Sequence, residues 1–250
     1  MKNRGIRLVV SILITAAFMG LLVFATNATY QETKSYNRIL VMLGGQLPAG
    51  LIQGFTYLLF VYGMLECTAL KKKLDKEARA LSQKLLPETE NWVLSVDDAN
   101  QLKLDIQERE KTSKSYLTDL IKKACAKYRL SKSSSEALDV ADTQINVFKS
   151  ELDGEQSFVR YVAWAIPSVG FIGTVIGIAA SLGYANEAGT TEGIDKMTGM
   201  LAVAFDTTLV ALVLSLFLMY FIHSLQKKQD SFFAKLESYL IENLINRFYK

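Results

Sequence analysis

The sequence predicts an all-α integral membrane protein with four transmembrane helices and a helical cytoplasmic insert between spans two and three. Three observations predict it. The 250-residue chain is 50% hydrophobic and its mean hydropathy is positive. It holds four long apolar runs, each giving about 27–39 Å of helix against a hydrocarbon core of roughly 30 Å. Its lysines and arginines gather at the ends of those runs, where they set topology. A net charge of +3 is too small to argue for nucleic acid. One histidine and two cysteines without ligand spacing leave no metal or cofactor to expect, and Cys67 and Cys125 read as reduced structural thiols.

The first run is Leu8–Ala25, preceded by Lys2, Arg4 and Arg7. No small-residue cleavage site follows it, so it reads as a span and not a signal peptide. The second, Leu47–Leu65, is diluted by Gln53 and glycines and closed by Glu66 and the cluster Lys71, Lys72, Lys73. The third is Tyr161–Leu182. The fourth is Met197–Ile222, followed by Lys227 and Lys228. The loop over 184–196 carries Glu187, Glu192 and Asp195 against Lys196. The positive-inside rule then puts both termini and the long middle segment in the cytoplasm. The chain divides into spans one and two (1–66), an insert continuous with the spans (67–160), spans three and four (161–222) and an amphipathic tail helix (223–250).

Within the insert the pattern is helical. The helix leaving span two is expected to run through LKKKLDKEARALSQKL and stop near Pro87. Ser95 with Asp98 resembles an N-cap for a helix over DANQLKLDIQER, and another helix is expected over Ser115–Tyr128. SKSSS reads as a turn, with Ser133 and Glu136 as a capping box. Leu138, Ala141, Ile145, Phe148, Leu152, Val159 and Val162 follow a seven-residue repeat broken at Glu155, so this helix is expected to run into span three. In the tail Phe232, Leu236, Leu240, Leu244 and Phe248 are four apart. These stripes read as packing within the subunit or as a docking surface for a cytosolic partner. Charge runs such as QEREK read as solvated faces.

Asp206 is an acid inside the otherwise apolar fourth run. A carboxylate at membrane depth costs roughly 2.5–3.5 kcal/mol on insertion scales, so it faces a protein interior or a water-filled path. Thr207 and Thr208 follow it directly, and the cluster points to ion or proton handling. The rival reading is a structural acid bonded inside the bundle, with Gln53 as one candidate partner. In span three, Gly170, Gly173, Gly177 and Ala180 share a face that lets backbones approach. Thr174 points close to that face; it either bonds back one turn along its own helix or lines a hydrated path with Asp206, Thr207 and Thr208. Pro167 removes one backbone bond and leaves a carbonyl needing another partner, as a passive kink or a flexing point. No nucleophile–base pair, metal set or phosphate loop appears, so no enzyme is expected.

The stretches IPSVGFIGTVIG and GMLAVAFDTTLVALVLS resemble the MotA/TolQ/ExbB proton channel family, over roughly Phe158 to the carboxyl end. The resemblance implies a multi-pass protein of the bacterial inner membrane. It implies a homo-oligomer, typically a pentamer, around two copies of a single-pass partner whose membrane helix carries an essential aspartate. Proton flow would turn one part against the other and so do work, as a motor or stator. Thr174 and Thr207 correspond to the pore-facing threonines of spans three and four, and Pro167 to the proline opening span three. The sequence departs from the pattern twice. Ala202 stands where transport-type members have a glutamate, with Asp206 four residues later on the same face. Four spans resemble the flagellar stator branch, whereas spans three and four read like the three-span transport branch. Both protons and sodium ions suit an acid with threonines. A non-conducting scaffold or receptor in which Asp206 only fixes packing is the alternative.

Overall fold

The computed structural model describes residues 2–33, 36–83, 85–87 and 93–249. It is all-helical: α1 (Lys2–Thr33), α2 (Arg38–Met42), α3 (Leu51–Leu81), α4 (Val96–Thr112), α5 (Tyr116–Ser131), α6 (Ser134–Gly183) and α7 (Thr191–Asn243). Short 3-10 turns cover Ala185–Glu187 and Ile245–Arg247. Helices α1, α3, α6 and α7 are long and apolar enough to cross a membrane. The chain falls into two compact units. One joins Met1–Thr68 with Ser157–His223, the other Ala69–Gln156 with Ser224–Lys250.

The first unit is apolar on the outside. Phe171, Ile172, Val175, Leu209 and Leu216 are all exposed, as befits helices whose solvent is lipid. Tyr161, Trp164 and Tyr220 are exposed as well, and amphipathic rings of this kind favour the headgroup level. From Tyr161 to Gly183 the helix rises about 33 Å, one bilayer core plus its edges. Helices α6 and α7 touch through glycine. A Cβ on Gly170, Gly173 or Gly177 would lie 2.5, 2.5 or 2.7 Å from Ala211 Cβ, Thr207 Oγ1 or Ala204 Cβ, so no larger residue fits there. Helix α1 is tied to α3 by Arg7, whose Nε and a terminal nitrogen each donate to the buried Glu66 at 2.9 Å.

The link between α1 and α3 departs from expectation. Helix α3, the second of membrane length, starts at Leu51, four residues later than the apolar run suggested, because Gln46–Gly50 turns. The five-residue α2, capped by Asn37, was not foreseen. From α2 the chain folds back along α1: Gly45 lies against Thr26 and Leu22, so closely that a Cβ would sit 2.0 Å from Thr26 Oγ1. Those contacts are seven and eleven residues before the end of α1, about 10–17 Å down the helix. Leu40, Met42 and Leu43 pack there on Leu22, Tyr57 and Val210, and Tyr57 donates its hydroxyl to the Leu43 carbonyl at 2.9 Å. Irregular backbone is tolerated at such depth when protein surrounds it.

In the second unit, α4 and α5 carry full capping boxes: Ser95 with Asp98, and Ser115 with Thr118. The box expected at Ser133 is half-made. Ser133 Oγ accepts from the Glu136 N–H at 3.3 Å, while the Glu136 carboxylate pairs with Lys127 at 2.6 Å. Helix α3 ends at Leu81, short of Pro87, where Ser82 Oγ donates back to the Arg79 carbonyl at 2.8 Å. Ala141, Ile145, Phe148 and Leu152 are buried, and Tyr116 stacks on Phe148 at 4.3 Å. At the break in the repeat the stripe shifts by one residue. Gln156 is buried and bonded to Gln229, while Glu155 is half-buried and takes Lys73 at 2.9 Å. Of QEREK, Glu110 turns inward to Lys122 at 2.6 Å; the other four residues are exposed. The tail stripe is buried throughout. However, α7 stops at Asn243, so Leu244 and Phe248 reach the core from beyond the α-helix, Phe248 by stacking on Tyr128 at 3.9 Å.

Candidate functional site

The candidate residues fall on two faces of α7. Asp206 and Thr208 are two positions apart, which turns their side chains about 200° from one another. Thr174, Thr207 and Thr208 gather at the seam with α6. Asp206 points to the other side, toward α2. The structure therefore brings the three threonines together and leaves the acid out of their cluster.

At the seam the hydroxyls cross between helices. Thr174 Oγ1 donates to the Ala204 carbonyl of α7 at 3.0 Å, and Thr208 Oγ1 donates to the Gly170 carbonyl of α6 at 2.9 Å. The bond of Thr174 to its own helix, at Gly170, is the weaker one at 3.5 Å. Thr207 is buried and donates to Ala204 at 2.9 Å. Thr174 and Thr208 also touch hydroxyl to hydroxyl and are only half-buried. Each hydroxyl has one proton and can accept as well, so these contacts admit more than one arrangement of protons. Gly170 and Gly173 make the seam: without their missing side chains α7 would stand too far off for the crossed bonds.

One turn further, Pro167 lies inside α6. Its missing N–H would have served the Ala163 carbonyl, and Ser215 of α7 donates to that carbonyl at 3.1 Å. Sequence reasoning asked for such a partner without finding it. The register holds the answer: stepping seven residues from Gly170 to Ala163 and seven from Thr208 to Ser215 keeps the two helices in step.

Asp206 is 4% exposed and fully engaged. Arg38, the first residue of α2, donates through both terminal nitrogens, at 2.5 Å to Oδ2 and 2.7 Å to Oδ1. Gln53, the partner considered from the sequence, instead donates to the Met42 carbonyl at 3.4 Å. Arg38 was missed. The signal was present: a basic residue in the connection between the first two apolar runs, followed by an apolar stretch too short to span. The Arg38 side chain is 60% exposed against 6% for Asp206. It lines an open cavity of about 430 Å³ with Gln46, Lys196, Gly199 and Ala202. Asp206 is absent from that lining, whereas Ala202, one turn away on the same face, belongs to it.

No curated protein and no solved structure matches the chain. A family profile does, over residues 112–238. The matched stretch begins earlier than the resemblance suggested and stops short of the carboxyl end, taking in α5, the whole of α6 and most of α7. Pro167, the seam glycines, the three threonines and Asp206 all lie within it, and the chain belongs to the MotA/TolQ/ExbB proton channel family.

Proposed function

We propose that this chain is the channel subunit of an inner-membrane complex that couples flow of protons, or of another monovalent cation, to mechanical work through a single-pass partner. The observation that carries this is the crossed hydroxyl pair Thr174–Thr208, half-buried at the α6–α7 seam of a proton-channel family member. Hydroxyls that exchange donor and acceptor roles can hand a cation along a seam. Carbonyls that already have protein partners can be lent to it. The assembly on this reading is a pentamer around a dimeric partner carrying an intramembrane aspartate, as the family resemblance implies, with both termini in the cytoplasm on the distribution of lysine and arginine. One charge crossing 100 mV releases roughly 2.3 kcal/mol, so a sizeable mechanical step needs several.

A second reading has an observation of its own. Both Asp206 oxygens are occupied by Arg38, which suits an acid that fixes packing in a non-conducting scaffold. Cation flux through vesicles holding the complex of the chain with its single-pass partner separates the two. Replacing both half-buried threonines (T174V with T208V) keeps shape and removes hydroxyls. A drop of tenfold or more with the assembly intact supports the channel. Unchanged flux in an intact assembly rules it out.

A further inference from the structure

We infer that Asp206 and Arg38 form a cation-exchange site, in which the guanidinium is a tethered cation holding the place of a transported one. This rests on the channel reading above and adds to it the residue that controls access. Four observations meet here. The carboxylate is buried in an apolar helix and needs a positive partner. Its partner is the first residue of a five-residue helix and is itself mostly exposed. The open cavity beside α2 is lined by Arg38 and not by Asp206, so the guanidinium stands between the acid and that cavity. The backbone behind Arg38 is fixed: Leu40, Met42 and Leu43 are packed on Leu22, Tyr57 and Val210, and Tyr57 holds the Leu43 carbonyl.

Exchange then needs only a side-chain rotation. The guanidinium swings into the cavity, where water solvates it, and a monovalent cation takes the carboxylate. Charge at the acid stays compensated throughout, because one cation leaves as another arrives. Lys196 on the cavity wall is already held by Glu192 at 2.9 Å, so it does not compete for Asp206. A site of this kind is closed at rest and conducts when Arg38 is drawn away.

The test uses the full chain with its single-pass partner in vesicles, with R38C as the variant. Both native thiols, Cys67 and Cys125, are buried, so a thiol reagent reports on the new position. Flux of R38C should exceed that of the unaltered protein at least tenfold. Modification with 2-aminoethyl methanethiosulfonate restores a tethered cation and should bring it back, whereas the neutral methyl reagent should not. R38C combined with D206N should stay at the resting level. Proton-sensitive and sodium-sensitive dyes, read in parallel, tell which cation passes. Resting flux in folded R38C, or equal effects of the two reagents, overturns the inference. If R38C does not fold, R38Q, which removes the tethered charge, replaces it: raised flux in folded R38Q supports the exchange site, and resting flux overturns it. Failure here with threonine-dependent flux intact sinks the exchange site alone. Flux that ignores the threonines sinks the channel reading itself.

Discussion

Pro167 deletes the N–H that would reach Ala163, and the hydroxyl of Ser215 arrives from α7 to take its place. A buried carbonyl left without a donor costs about 1–3 kcal/mol. S215A should therefore lower the melting temperature of the purified protein by several degrees. In a P167A background the helix supplies its own donor, and the same change should cost much less. Thermal melts of the four proteins give the coupling, and additive effects would deny that Ser215 serves the proline break. Cys125 gives a second check at this scale. Burial pushes its thiol up to about 12, and the thiolate is the reactive form. At pH 8 the Cys125 peptide should stay unmodified by iodoacetamide in the native protein and react once denatured, as read by mass spectrometry. Native labelling at a rate near that of a free thiol would contradict this burial.

At the scale of elements, close approach decides what α6 and α7 can do together. The nearest atoms to a Cβ on Gly177 are the Cβ, Cα and N of Ala204, at 2.7–2.9 Å, so two of the three are backbone and cannot move aside. G177L should part the helices, abolish flux and reduce the yield of folded complex, whereas G183L, facing open space, should leave both unchanged. Flux retained in G177L would mean that the seam is not the path. In the second unit the capping box of α5 is fully made. S115A should cost about 1 kcal/mol, the usual worth of an N-cap. Hydrogen exchange would show it as faster amide exchange through the first turn of α5, and unchanged protection there would mean that the box contributes nothing. Some of these elements were legible and some were not. Ser95 announced its helix because a cap is a local device. The end of α3 at Leu81 did not show, since Pro87 lies six residues on and a proline disturbs a helix only over the turn before it.

For the whole molecule, the exposed apolar faces of α6 and α7 and the belt of Tyr161, Trp164 and Tyr220 fit a protein solvated by lipid. Family membership carries the expectation of five copies around two of the partner. Native mass spectrometry of the detergent-extracted complex should find that ratio, and a chain that is monomeric under extraction conditions that keep flux would refute it. The all-helical class, the four long apolar helices, the family and the adjacency of Thr207 and Thr208 to Asp206 along the chain were all legible in the amino acids alone. Those properties are written in periodicity, run length and residue type, which act along the chain. It took the folded molecule to show that Asp206 turns from the threonines to Arg38, that Ser215 answers Pro167, and that the chain after α2 folds back along α1. Pairings of that kind depend on which helix faces meet, and in an apolar span any rotation about the axis leaves the composition unchanged.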